Sequence, residues 1–127
     1  MEKKFPDFSG KTILVAEDDL ANLKFFESIL GKTKANILWA LNGIEAIEAF
    51  QQNKVDLILM DLKMPDMDGY TATKKLKEMD IKIPIIAQTA YAMIGDKEKA
   101  MKFGFDAYIT KPINRNELYS ILEDLLG

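Results

Sequence analysis

Five short apolar runs rich in β-forming residues, each separated from the next by a stretch of helical period, constrain this chain more than any other feature. The runs are TILVA (Thr12–Ala16), ANILWA (Ala35–Ala40), VDLILM (Val55–Met60), IPIIAQ (Ile83–Gln88) and AYIT (Ala107–Thr110). Between them, Leu23, Phe26 and Leu30 form one helical stripe, Ile44, Ile47 and Phe50 a second, and Ala72, Leu76 and Met79 a third. Ala100 and Phe103 mark a fourth helix, closed by Gly104, and a fifth starts at Asn114 and runs through Leu118, Leu122 and Leu125. Such alternation predicts a parallel sheet wrapped by helices, with the apolar stripes and Trp39 as core.

At 127 residues, the chain suits one domain, since single domains commonly hold roughly 100–150 residues. MEKKFPDFSG, residues 1–10, is broken by Pro6 and Gly10 and reads as a linker or N-terminal tail, leaving residues 11–127 for the folded domain. A net charge of −3 gives no basic face for direct nucleic acid binding. No apolar stretch reaches the roughly 20 residues that span a bilayer, so no membrane contact by this domain is expected, and its location is expected to be cytoplasmic. With no cysteine and no histidine, any chemistry falls to carboxylates, hydroxyls and lysines.

Polar residues of that kind stand where the apolar runs stop. Glu17 and Asp18 follow the first run, Asp61 the third, Thr89 the fourth and Lys111 the fifth. Ligands of open parallel sheets sit beyond the carboxyl ends of the strands, so these residues are expected to converge. Three carboxylates in one crevice call for a compensating cation, and an all-oxygen site suits Mg²⁺, with Mn²⁺ as a substitute. An ionised aspartate can attack phosphorus, which makes Asp61 the nucleophile candidate. Thr89 offers a hydroxyl to a phosphoryl oxygen, and Lys111 a positive charge.

The motifs EDD at 17–19, MDLKMPDMDG at 60–69, QTA at 88–90 and YITKP at 108–112 together resemble the response-regulator receiver domain of two-component signalling. The resemblance implies a three-layer αβα, flavodoxin-like fold with a five-stranded parallel sheet of order 2-1-3-4-5. It implies Asp61 as phosphoacceptor, Glu17 and Asp18 as the acidic metal pair, and the Lys63 backbone carbonyl as a further ligand. Thr89 and Tyr108 match the family's switch pair, and Lys111 its phosphate-sensing lysine. Lys63 and Tyr91 match positions that line the path of the hydrolytic water and modulate hydrolysis rate. Glu17 departs from the aspartate common there, and its extra methylene implies a metal contact through water.

The wording around FSGKTILVAEDD and IIAQTAYAM is similar to receivers of hybrid histidine kinases, which would tether the domain to a membrane-bound kinase. The implied partner is a histidine kinase or a histidine phosphotransfer protein, because this chain has no histidine to serve as donor. The domain would be a signalling phosphoacceptor with self-catalysed phosphotransfer and dephosphorylation rather than an enzyme. Three rivals are weaker. A haloacid-dehalogenase-type phosphohydrolase needs an aspartate where Lys63 stands, and a nucleotide-binding domain needs a glycine-rich turn after the first run. A degenerate receiver used only for docking would not need Asp61, Thr89 and Lys111 together.

Overall fold

The computed structural model describes residues 5–90 and 92–127. Strands and helices alternate throughout: β1 (Thr12–Ala16), α1 (Leu20–Gly31), β2 (Asn36–Ala40), α2 (Gly43–Gln52), β3 (Leu57–Asp61), α3 (Gly69–Glu78), β4 (Ile85–Thr89), α4 (Asp96–Phe103), β5 (Ala107–Thr110) and α5 (Arg115–Leu126). The strands form one parallel sheet of order β2-β1-β3-β4-β5, as the resemblance implies.

Side-chain alternation sorts the core into two layers. Ile13, Val15, Leu57, Leu59 and Ile86 pack with Phe26 and Leu30 of α1 and Leu118 and Leu122 of α5. Leu14, Ile58, Met60, Ile85 and Ala87 face the other way, against Ala46 of α2, Ala72 and Leu76 of α3 and Ala100 of α4. Covered on both faces, β3 and β4 are buried along their whole length, while edge strand β2 is half open. Among the described residues no helix is long and apolar enough to cross a membrane.

Short polar side chains start four of the helices by accepting from otherwise orphaned N–H groups. Asp19 caps α1, Asn42 α2, Asp68 α3 and Asn114 α5. Helix α4 differs: it begins at Gly95, with φ of 89°, and has no side-chain cap. It is also the shortest, at 8 residues, and Ala100 is its only fully buried residue.

Several sequence expectations shift. Strands β3 and β4 begin two residues later than the apolar runs and end on Asp61 and Thr89, so those residues close the strands rather than follow them. The Asp56 side chain accepts from Thr12 N at 2.8 Å, which ties the start of the third run to its neighbour without extending the strand. Trp39, Ile44 and Met79, expected in the core, are 37%, 44% and 40% exposed. Trp39 lies on the sheet edge, whereas Ile44 and Met79 sit at opposite ends of their helices, where the apolar stripe has turned outward. Phe8, within the segment read as a tail, is buried in the α1/α5 layer and its N–H donates to Thr33 O at 2.7 Å.

The end of α1 is held by α5. The Tyr119 hydroxyl, buried between the two helices, donates to Ile29 O, one of the last carbonyls that the helix itself leaves unpaired. Tyr119→Phe should therefore lower stability by about 1–2 kcal/mol. Urea unfolding would measure this, and an unchanged midpoint would count against the contact.

Candidate functional site

The chain leaves β1 for β2 on one side and returns to place β3 on the other, so the crevice of the doubly wound sheet lies between the carboxyl ends of β1 and β3. Glu17 follows β1 and Asp61 ends β3 there. Glu17, Asp18 and Asp61 each bring a carboxylate oxygen within 4.8 Å of the others. Glu17 and Asp61 are buried and Asp18 is exposed, so the cluster opens on its Asp18 side. A cleft of about 760 Å³ lies over it, bordered also by Asn22, Lys63, Ala90 and Lys111.

Lys111 binds the buried acids together. Its Nζ donates to Glu17 Oε1 at 2.6 Å and to Asp61 Oδ2 at 2.7 Å. Its side chain is only 10% exposed, so these pairs are little screened by water. Burial alone would lower the lysine pKa, but the hydrogen bonds and charges of Asp61 and Glu17 outweigh it and the value is raised. Burial pushes the Glu17 carboxyl up; the Lys111 and Asp19 hydrogen bonds oppose that, and the Asp61 charge adds to it.

Backbone groups fix the remaining oxygens. Asp61 Oδ1 accepts from Lys63 N at 2.9 Å, and Glu17 Oε2 from Asp19 N at 3.0 Å. Gly69 then lets α3 start directly against the site: a Cβ there would lie 2.2 Å from Asp61 O and 2.9 Å from Leu62 Cα. No side chain fits at that distance. The turn between Asp61 and Gly69 is anchored to α2, with Gly43 N donating to Met67 O at 3.0 Å.

The expected site residues thus come together in two groups. Glu17, Asp18, Asp61, Lys63 and Lys111 border the first cleft. Thr89, buried at the end of β4, borders a second hollow of about 530 Å³ with Lys63, Tyr70, Met93 and Asp96. Tyr108 is half-buried in the α2–α4 layer, and its hydroxyl is buried without a hydrogen-bond partner among the described residues. Burial and the charge of Asp96 raise its pKa. Tyr91 lies outside the described residues. Sequence reasoning passed over three contributors. Asp19 had an N-cap signal in its place before an apolar helix, Gly69 had only its turn context, and Gln88, buried beside Asp61, had none.

Residues 13–123 match the family model of the response regulator receiver domain. The chain belongs to that family, and it is a receiver domain of two-component signalling. It is 36% identical over 119 residues to the polar-differentiation response regulator DivK of Brucella anthropi, covering 92% of this chain and 97% of that protein. It is 41% identical over 119 residues to hybrid signal transduction histidine kinase I of Dictyostelium discoideum, covering 87% of this chain but 7% of that kinase. The receiver domain of sensor histidine kinase PA1611 from Pseudomonas aeruginosa PAO1, solved with a magnesium ion coordinated in the active site cleft, superposes with a TM-score of 0.85 at 35% identity. That match covers 94% of this chain and 99% of the solved one. The hydrolase and nucleotide-binding readings fall with this assignment.

The raised Glu17 pKa has a sign that can be checked. Glu17 binds its proton more tightly folded than unfolded, so its contribution to stability is present below its ordinary value of 4.5 and is lost as pH rises through the higher folded value. In metal-free buffer, Glu17→Gln should gain on the wild type as pH climbs from acid to neutral. Urea unfolding in chelator across that range measures the gap, and a gap that is flat or moves the other way contradicts the assignment.

Proposed function

We propose that Asp61 is the phosphoacceptor and that Glu17, Asp18 and Asp61, with the Lys63 carbonyl, hold Mg²⁺. The observation that carries this is the convergence of three carboxylates within 4.8 Å at the sheet's switch point, with the Lys111 ammonium already on two of them. The donor set fits the ion, since it is hard oxygen throughout and opens to water at Asp18. Mn²⁺ fits the same donors. A divalent ion bound there supplies positive charge beside the three oxygens of an incoming phosphoryl group.

In this reading a carboxylate oxygen of Asp61 attacks the phosphorus of a phosphohistidine on a histidine kinase or phosphotransfer protein. An O–P bond forms as the P–N bond breaks, and the electron pair stays on the imidazole nitrogen, which takes a proton. Lys63 N holds one Asp61 oxygen and Lys111 the other, fixing the carboxylate's orientation before attack. Lys111 then follows the charge onto the phosphoryl oxygens, and Thr89 contributes its hydroxyl. Tyr108 turns further inward as Thr89 moves, and α4 adjusts with it. The domain, read from the sequence as residues 11–127 and extended back to Phe8 by its packing against α1 and α5, works in the cytoplasm behind a linker segment, either as a small regulator or as one module of a hybrid kinase. Relatives of both lengths support that pair of contexts.

With Mg²⁺ and a small phosphodonor, the wild type should gain one phosphoryl group by intact mass, and Asp61→Asn none. Modification that persists unchanged in Asp61→Asn ends the reading. The acyl phosphate hydrolyses without a separate phosphatase, and Lys63 and Tyr91 screen it from water. Lys63→Ala and Tyr91→Ala should therefore lose the label several-fold faster in a chase; decay at the wild-type rate removes the screening role.

A further inference from the structure

Gln88 is fully buried in β4, yet neither its carboxamide oxygen nor its nitrogen has a hydrogen-bond partner among the described residues. In register it stands between Asp61 of β3 and Ile109 of β5. Paired residues of neighbouring strands share a face, and Ile86 and Ile109 mark this one as the α1/α5 side. Asp61 therefore lies beside Gln88 on that face, and Lys111 comes two residues after Ile109. An amide desolvated without a partner is a worse choice here than an apolar side chain. Its presence makes physical sense if a partner comes within reach when the site changes state.

Lys111 is the group that must move. Its ammonium has three N–H groups, and Glu17 and Asp61 take two of them. Once Asp61 carries a phosphoryl group, the negative charge moves out to the phosphoryl oxygens. The ammonium, little exposed, follows that charge from Asp61 Oδ2 onto a phosphoryl oxygen, and the shift carries its third N–H to where a further acceptor can meet it.

We propose that Gln88 is a positioning residue for phosphotransfer: in the phosphorylated state its Oε1 accepts from Lys111 Nζ and holds the ammonium against the phosphoryl group. The proposal deepens the phosphoacceptor reading of Asp61 and rests on it. A carboxamide suits the task because it accepts a hydrogen bond without adding a fourth negative charge to the cluster.

Beryllofluoride, which mimics a phosphoryl group on a carboxylate, provides the test. Wild type, Gln88→Leu and Gln88→Met are each titrated with Mg²⁺ alone and then with beryllofluoride at saturating Mg²⁺, followed by NMR. Both variants should keep wild-type Mg²⁺ affinity and resting stability at or above wild type, and bind beryllofluoride about tenfold more weakly. Unchanged beryllofluoride affinity, or Mg²⁺ affinity falling by the same factor, overturns the proposal. If Gln88→Leu does not fold, Gln88→Met, close to glutamine in length, carries the same comparison. A wild type that ignores beryllofluoride, or an Asp61→Asn that binds it equally well, overturns the phosphoacceptor reading instead.

Discussion

The Lys111 ammonium is what allows two buried acids to stand side by side at the end of the sheet. Glu17 and Asp61 are both removed from water, and a buried carboxylate without a partner shifts its pKa until it is neutral. One lysine shared at 2.6 and 2.7 Å keeps both in play. The compensation is incomplete, because burial still wins at Glu17. One positive charge against three carboxylates leaves an excess of negative charge on the open side at Asp18, and that excess gives a divalent cation its purchase. In the proposed reaction the same lysine would meet the phosphoryl group, so the charge that stabilises the resting site would also serve the transfer.

Stability is distributed so that this site sits on the firmest part of the molecule and faces the least firm. Strands β3 and β4 are buried throughout, and the start of α3 is wedged against Asp61 by a contact only glycine permits. Helix α4 has a single fully buried residue and no side-chain cap, which places it at the low end of local stability. A small displacement at Thr89 would therefore be absorbed by α4 rather than by the sheet. A receiver needs that inequality, since a uniformly rigid domain would bind phosphate and report nothing.

Much of this was legible in the sequence because parallel sheets announce themselves twice: in apolar runs without alternation, and in polar residues that end them. Glu17, Asp18, Asp61 and Lys111 were found by where their runs stop, and the structure brings them to one cleft. Other features depend on facts that no local pattern contains. Trp39 looks like core in the sequence because a run of apolar residues does not say whether its strand is central or at an edge. Val55 is buried, yet it lies before β3, where Asp56 turns its backbone and side chain to Thr12. Gln88 looks like any polar residue near a strand end until register sets it beside Asp61.

Register also separates the chemistry from its consequence. Asp61 follows Leu57 and Leu59 in alternation, Glu17 follows Ile13 and Val15, and Lys111 follows Ile109, so the groups proposed to react continue the α1/α5 face of the sheet. Thr89 follows Ile85 and Ala87, and Tyr108 packs in their layer, so the residues matched to the switch belong to the α2–α4 face. A phosphoryl group on Asp61 would be held by one face of the sheet and felt on the other, and Thr89, at the last position of β4 beside Gln88, stands where the two meet. Communication then needs no pathway through the core. It needs only that adjacent residues of one strand point to opposite sides, and that the helix on the far side is loosely enough held to respond.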